Sequence, residues 1–370
     1  MKFSCDQSIL SKALNIVSKA VTSRTTIPIL KGILLKVDED GFLTMSASDL
    51  DLSIEDKFEI ENYEPGEIVV QAKLFGDIIR KLPNDKVNIT VNNENVIISC
   101  LNSEFNIIGS KSDEFPKIII NEEVTDKILI NKDLLKDMIR KTSFAASIDE
   151  SRGVITGVLF EIKEDKFNMV ALDGFRMAIS REDMINKKEE NIIVPAKILN
   201  EIVKIISEAD IEKENVEFYL ADKRLIFIID NIKVVLRLLN GDFVEYENIL
   251  PKENEIRIIV SKEDLLESIE RASLLAKIGK NNLVRLEIKD NIMEITSKSE
   301  EGNVKEEVII SKEGKDLTIG FNSKYLIDSI KVIEDDEFTM LFNTPISPCL
   351  IKPITGEKYE HLILPVRITN

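Results

Sequence analysis

Ile68-Val69-Val70-Gln71-Ala72-Lys73, Ile192-Ile193-Val194-Pro195-Ala196-Lys197 and Leu317-Thr318-Ile319-Gly320-Phe321-Asn322-Ser323-Lys324 are three versions of one stretch. Each reads as a short apolar strand, a turn, and a Lys opening an amphipathic helix. The Lys residues lie 124 and 127 positions apart. Met45-Ser46-Ala47, Met169-Val170-Ala171 and Met293-Glu294-Ile295 keep the same step, each starting 124 residues after the last. Two landmarks in one register define a repeat about the size of a domain, far longer than a solenoid unit of roughly 20–50 residues. The chain is expected to hold three copies of one fold, with domains at residues 1–122, 123–252 and 253–370.

The 370 residues divide into three domains of ordinary size. With 44% apolar residues each copy can bury a core. No run reaches the roughly 18 apolar residues needed to span a bilayer, and Met1-Lys2-Phe3-Ser4-Cys5-Asp6 lacks the apolar centre of a signal peptide. Cys5, Cys100 and Cys349 are scattered, which argues against a disulfide framework or a zinc site. A soluble cytoplasmic chain is the expectation. One His and no Trp leave little material for His-based acid–base catalysis or His-rich metal sites.

Each copy shows two helical stretches separated by strands. The first helices span 7–20, 131–143 and 261–277, and the second 72–82, 196–206 and 323–333. Ile9, Leu10, Ala13, Leu14, Ile16 and Val17 recur at helical spacing; so do Leu134, Leu135, Met138 and Ile139, and Leu265, Leu266, Ile269 and Ala272. Ser261-Lys262-Glu263-Asp264 resembles an N-cap with an acidic first turn. Elsewhere the period falls to two, as in Val87-Asn88-Ile89-Thr90-Val91, with Asn-rich or Asp-Gly turns that imply antiparallel hairpins. Each copy is therefore α+β, with two helices over one face of a sheet. Asp113-Glu114-Phe115-Pro116 with Asn121-Glu122-Glu123, and Leu250-Pro251-Lys252-Glu253-Asn254-Glu255, mark the boundaries.

The formal charge of −17 argues at first against nucleic acid. Counted over 8–21, 71–82, 131–142, 195–207, 261–280 and 322–333, the helical stretches nevertheless carry a net +8, leaving −25 for the rest. Lys and Arg also serve as helix formers on solvated faces, and the third copy weakens the trend through Glu263, Asp264, Glu267 and Glu270. No aromatic residues interleave with these cations, so the pattern suits phosphates rather than bases.

Over its whole length the chain resembles the β sliding clamp of bacterial DNA polymerase III, a processivity factor. The resemblance rests on Met1-Lys2-Phe3, on Arg24-Thr25-Thr26-Ile27-Pro28-Ile29-Leu30, and on Gly320-Phe321-Asn322-Ser323-Lys324-Tyr325-Leu326. Leu172-Asp173-Gly174-Phe175-Arg176-Met177-Ala178 matches the family's Thr-Asp-Gly-His-Arg-Leu-Ala signature, and Leu364-Pro365-Val366-Arg367 its tail. The family fold implies a head-to-tail homodimeric ring with helices lining the hole. Twelve helices about 10 Å apart leave a hole of roughly 28 Å, whereas six leave about 9 Å, too narrow for a duplex roughly 20 Å wide.

By this resemblance Arg24, Lys73, Arg80 and Lys197 face DNA, and Lys12, Lys136, Arg140 and Lys141 are added from helix position. The partner-peptide pocket would use Ile155, Leu172, Gly174, Phe175, Arg176, Met177, Val244, Asn248 and Ile249. Ile346, Pro348, Leu362, Leu364, Pro365, Val366 and Arg367 would close it, with Arg152 at its entrance and Arg176 and Arg367 meeting peptide polar groups. Leu172, Phe175 and Val244 replace the family's Thr, His and Pro. Phe105 and the pair Leu274 and Leu275 match the two sides of the ring contact. The implied partners are encircled double-stranded DNA, the polymerase III α subunit, the clamp loader and other clamp-binding-motif proteins, with no cofactor or metal. An enzyme with Asp173 and Arg176 as a catalytic pair lacks any supporting motif, and Asp49, 124 residues before Asp173, points to a shared turn instead. A scaffold that binds only proteins, without encircling DNA, is the remaining alternative.

Overall fold

The structure is a computed structural model that describes residues 1–22, 24–116, 127–186, 189–209 and 213–368. The segment Asn121-Glu122-Glu123, and with it the division at 122/123, lies outside the described residues. Six α-helices occur among them: α1 (Gln7–Val17), α2 (Ala72–Lys81), α3 (Lys132–Thr142), α4 (Ala196–Glu208), α5 (Lys262–Ala276) and α6 (Ser323–Lys331). These are the six expected from the apolar period. The buried residues of α1 are Leu10, Ala13, Leu14, Ile16 and Val17, while Ile9 at the edge of the stripe is exposed.

The expected turn between strand and helix is absent. Gly66–Gln71 runs directly into α2 and Leu317–Asn322 directly into α6. The last strand residue already has the extended backbone of an N-cap, so no extra residue is needed. Gln71 Oε1 accepts from the Leu74 amide at 2.8 Å, Ser261 Oγ from Asp264 at 3.3 Å and Asn322 Oδ1 from Lys324 at 3.0 Å.

The chain forms two compact units, and the central repeat contributes to both. In the first unit (Met1–Leu135 and Glu201–Leu238), five strands form one antiparallel sheet: Glu61–Glu64, Lys2–Asp6, Lys86–Asn92, Asn95–Cys100 and Ser103–Ile108. A second sheet has eight strands and includes Leu52–Glu59 beside Ile232–Arg237. Helix α1 touches Lys2–Asp6 of the first sheet and Phe42–Ser48 and Leu52–Glu59 of the second. The single sheet expected for the first copy is thus corrected to two, because α1 packs against both. The second unit (Lys136–Asn200 and Leu239–Asn370) carries a single twelve-stranded sheet.

The repeats are joined by one device used twice. Leu52–Glu59 of the first copy pairs with Ile232–Arg237 of the second, with Ile54 opposite Val234. Arg176–Asp183 of the second pairs with Tyr359–Ile363 of the third, with Ala178 opposite His361. Leu52 and Arg176 are 124 residues apart, and Ile232 and Tyr359 are 127 apart, the offsets of the repeat itself. In the third copy the corresponding strand is Gly302–Glu313. Its residues 302–309 pair only with Ile292–Ser299, and only 310–313 pair with Ile256–Ser261. In the first copy, Ser103–Ile108 pairs on one side only. Among the described residues, each end of the series leaves one such edge open.

His361, the only histidine, sits fully buried on Tyr359–Ile363, with the Phe144 ring edge-on and the Tyr359 ring beside it, both at 5.4 Å. Neither ring nitrogen makes a hydrogen bond of good geometry, and the backbone at Lys141 and Ser329 offers only partial compensation. Burial, assisted by the Lys141 ammonium, pushes its pKa from 6.5 down to about 4. The folded state keeps the ring neutral while the unfolded chain takes up a proton below about 6.5, so stability is full above 6.5 and falls as pH drops toward 4. At pH 4 the loss reaches about 3 kcal/mol. Buried Asp56, raised by desolvation to about 6, acts in the opposite sense. We therefore expect His361→Leu to flatten the acid-side slope of the melting temperature relative to wild type, a difference in which Asp56 cancels. Parallel slopes for the two proteins between pH 6.5 and 4 would exclude His361 as the cause.

Candidate peptide-binding groove and basic helix faces

The turn between Lys166–Leu172 and Arg176–Asp183 decides the shape of the site. Asp173 Oδ1 accepts from the amides of Phe175 at 2.8 Å and Arg176 at 3.0 Å, closing the turn through its own side chain. Gly174 takes φ +88°, and a Cβ there would stand 3.2 Å from the Arg152 guanidinium. Arg152 Nη1 donates to the Asp173 carbonyl at 2.6 Å, so the entrance residue holds the turn from outside. The first copy repeats the device: Asp49 Oδ1 accepts from Asp51 and Leu52, and Leu50 occupies the positive-φ slot. Asp173 is a turn-former, as the repeat spacing implied.

The turn projects Phe175 outward, 55% exposed, with its ring stacked on Tyr325 at 6.2 Å. Arg176 does the opposite. Its Nε donates to Asp173 Oδ2 at 3.1 Å and its Nη1 to Asp328 Oδ2 at 2.6 Å, and it lies against the faces of Phe144 and Tyr325. Only 8% exposed, Arg176 cannot meet a peptide's polar groups. That expectation is corrected: the guanidinium is spent on two carboxylates and serves to brace the wall. Arg367 remains exposed.

Leu172, Met177 and Leu362 are buried in one apolar cluster with Leu159, Val170, Tyr246, Leu341 and Leu350. Ile155 and Leu364 pack half-buried at its edge. This cluster forms a floor separate from the core around α5 and α6. The tail is tied down, with the Leu364 amide donating to Phe175 O at 2.9 Å and the Val366 amide to Gly320 O at 2.8 Å. Pro365 and Val366 are half-buried beside it. Val244, Asn248, Ile249 and Ile346 are exposed and Pro348 half-buried, all outside the floor cluster. Sequence reasoning missed Val154, Phe243, Tyr246 and Leu250 in the cluster and Tyr325 against Phe175. The aromatic spacing of Phe243 and Tyr246 beside Val244 was the available signal.

The basic candidates divide. Lys73 and Lys197 are exposed at the second position of α2 and α4, and Lys324 is exposed at the same place in α6. Arg24, Lys12 and Arg140 are exposed and Lys136 is half-buried. Arg80 is exposed but shares its charge with Asp77 at 2.7 Å and reaches Asn15. Lys141 is corrected: its side chain is 12% exposed, paired with Asp137, 3.7 Å from Glu334 and over the Tyr359 ring. A lysine so enclosed has no reach toward a phosphate. Among the ring-contact candidates, Phe105 lies on the open edge Ser103–Ile108, Leu274 is 66% exposed at the end of α5, and Leu275 is half-buried.

Three family models cover the chain in order. The DNA polymerase III beta subunit N-terminal domain matches residues 1–119, the central domain 129–245 and the C-terminal domain 247–367. The "Beta sliding clamp" of Bacillus subtilis is 37% identical over 99% of this chain and 100% of its own length. That of Staphylococcus epidermidis is 35% identical over 99% of both. A solved DNA polymerase sliding clamp from Bacillus subtilis superposes with a TM-score of 0.94 at 36% identity, covering 100% of both chains.

Proposed function

The chain belongs to the DNA polymerase III β-subunit family, and from that premise we propose that it is a sliding clamp. Two chains close head to tail around duplex DNA and tether the replicative polymerase and other DNA-processing proteins. The chain catalyses no step itself, uses no cofactor, and works in the cytoplasm as three domains at 1–122, 123–252 and 253–370.

The observation that carries the ring is the repeated joint. Leu52–Glu59 meets Ile232–Arg237, and Arg176–Asp183 meets Tyr359–Ile363 one repeat later. A third use of that joint would bring residues 302–309 of one chain to Ser103–Ile108 of another. Such a heterologous contact closes when its rotation divides a full turn. Exposed Ile309 on one edge and Ile108 on the other, 83% and 81% accessible, supply apolar surface for it.

The lysines at the second position of α2, α4 and α6 support a DNA-facing role. A cation there opposes the helix dipole, a cost the fold bears three times over and that favourable contact with phosphate offsets. We propose Lys73, Lys197, Arg24 and, with partial charge sharing, Arg80 as phosphate contacts, with Lys12, Lys136 and Arg140 beside them. Contacts to phosphates alone leave the ring free to slide.

One experiment tests both points. Protein loaded onto closed circular DNA stays bound and leaves once the circle is cut; equal retention on linear DNA would leave only the scaffold reading. Lys73→Glu with Lys197→Glu should raise the melting temperature by about 1–3 °C, because the dipole is now complemented, while slowing loading. A lower melting temperature with unchanged loading would remove these lysines from the DNA face.

A further inference from the structure

We propose that Tyr246 is a positioning residue of the peptide groove, latching the segment that carries Val244, Asn248 and Ile249 to the sheet through the buried carboxylate of Glu161. The inference rests on the groove assignment given above.

Residues 240–252 cross the sheet with little backbone support. Leu239 donates to Ile193 O at 2.9 Å before the segment, and within it the Asn248 amide reaches only Glu245 O, at 3.3 Å. One short helical turn, Tyr246–Ile249, is its sole regular element among the described residues. Phe243, Tyr246 and Leu250 pack into the floor cluster, but apolar contacts do not set a unique position. The one buried directional bond does, the longer Lys163–Glu247 pair being solvent-exposed. Tyr246 Oη donates to Glu161 Oε2 at 2.8 Å, with both residues buried.

Glu161 is built to receive it. Asn168 Nδ2 donates to the same oxygen at 2.7 Å, and Lys163 Nζ lies 3.2 Å away and 3.6 Å from Glu247. Burial alone would raise the carboxyl, yet the donors Asn168, Tyr246 and Lys163 hold it below its ordinary value. Burial and then Glu161 push the Tyr246 phenol upward, so it stays a donor at all working pH values. The acceptor is thus a charged, desolvated anchor, the strong class of hydrogen bond.

The segment also has room to move. A hollow of about 560 Å³ lies between residues 241–248 and the sheet positions Glu161, Lys163, Asn191 and Ile193. Glu161, Asn191 and Ile193 lie on the strands at one end of the twelve-stranded sheet, whereas Leu172, Met177 and Leu362 lie on the neighbouring strands. Without the latch the wall can swing into that hollow, and apparent affinity falls with the fraction of molecules that hold the groove open.

The test uses the full-length protein and a labelled Gln-x-x-Leu-Phe peptide, followed by stopped-flow anisotropy. Tyr246→Phe keeps the ring in the cluster and removes only the donor. We expect about tenfold weaker binding, seen as a slower association rate with an unchanged dissociation rate, and faster amide exchange confined to 240–252. Glu161→Gln with Tyr246 intact, which retains an acceptor oxygen, should lose less affinity than Tyr246→Phe does. A Tyr246→Phe protein that binds as wild type does, or that loses affinity only through faster dissociation, overturns the latch. Absence of peptide binding by wild type would instead reject the groove itself.

Discussion

Leu274→Asp combined with Leu275→Asp should convert the protein from a species of 84 kDa, twice the 42.0 kDa chain, to one of 42 kDa by native mass spectrometry. Leu274 is 66% exposed in the single chain, and a large apolar side chain at the end of α5 gains nothing there. We place it against Phe105 of a second chain, on the edge strand Ser103–Ile108. Closing the joint would take any carboxylate at this position out of water. An uncompensated buried charge costs roughly 3–5 kcal/mol, equivalent to about two to three and a half decades in affinity at each contact. Because the two contacts of a ring close cooperatively, weakening both should empty the dimer at micromolar protein. Leu275 is half-buried, so Leu274→Asp alone is the control for fold damage: it should also dissociate the ring while leaving the melting profile of the protomer intact. A double variant that remains at 84 kDa places the contact elsewhere.

The helices were legible because their cause is local. Leu265, Ile269 and Ala272 recur at the period of one face, and all three are buried where that period puts them. Asp173 was readable as a turn-former because Asp49 repeats it at the same offset, and both side chains accept two backbone amides. The shared sheets were not legible. Pairing Ile54 with Val234 joins residues 180 positions apart, and an alternating strand carries no mark of its neighbour. Lys141 and Arg176 failed for a related reason. Their sequence neighbours look like solvated helix and turn residues, while Glu334 and Asp328, which help to hold them, arrive from another repeat. Family likeness put Arg176 in the pocket, but only the fold shows that its charge is already used.

Deleting Pro365–Asn370 should abolish binding of a Gln-x-x-Leu-Phe peptide, a loss of at least about 100-fold, while the ring stays closed. Of these, Pro365–Ile368 belong to the described residues. Half-buried Pro365 and Val366 continue from Leu364, whose amide is fixed to Phe175 O, and we propose that they form the side of the groove facing Phe175. Removing them takes away apolar surface next to Leu364, which packs on the floor of Leu172, Met177 and Leu362, and an aliphatic anchor then buries too little surface to stay. The tail also does structural work. Its Val366 amide bonds Gly320 O at 2.8 Å, and Ile368 packs close enough that a Cβ on Gly320 would meet it at 3.0 Å. Loss of that hydrogen bond and of half-buried Pro365, Val366 and Ile368 should lower the melting temperature without unfolding the chain. The two effects separate in Phe175→Asp, which alters an exposed ring on the opposite side and leaves the tail bonded. It should lose peptide binding with almost no change in melting temperature. Full peptide affinity in the folded truncation, or in Phe175→Asp, would move the binding surface away from this groove.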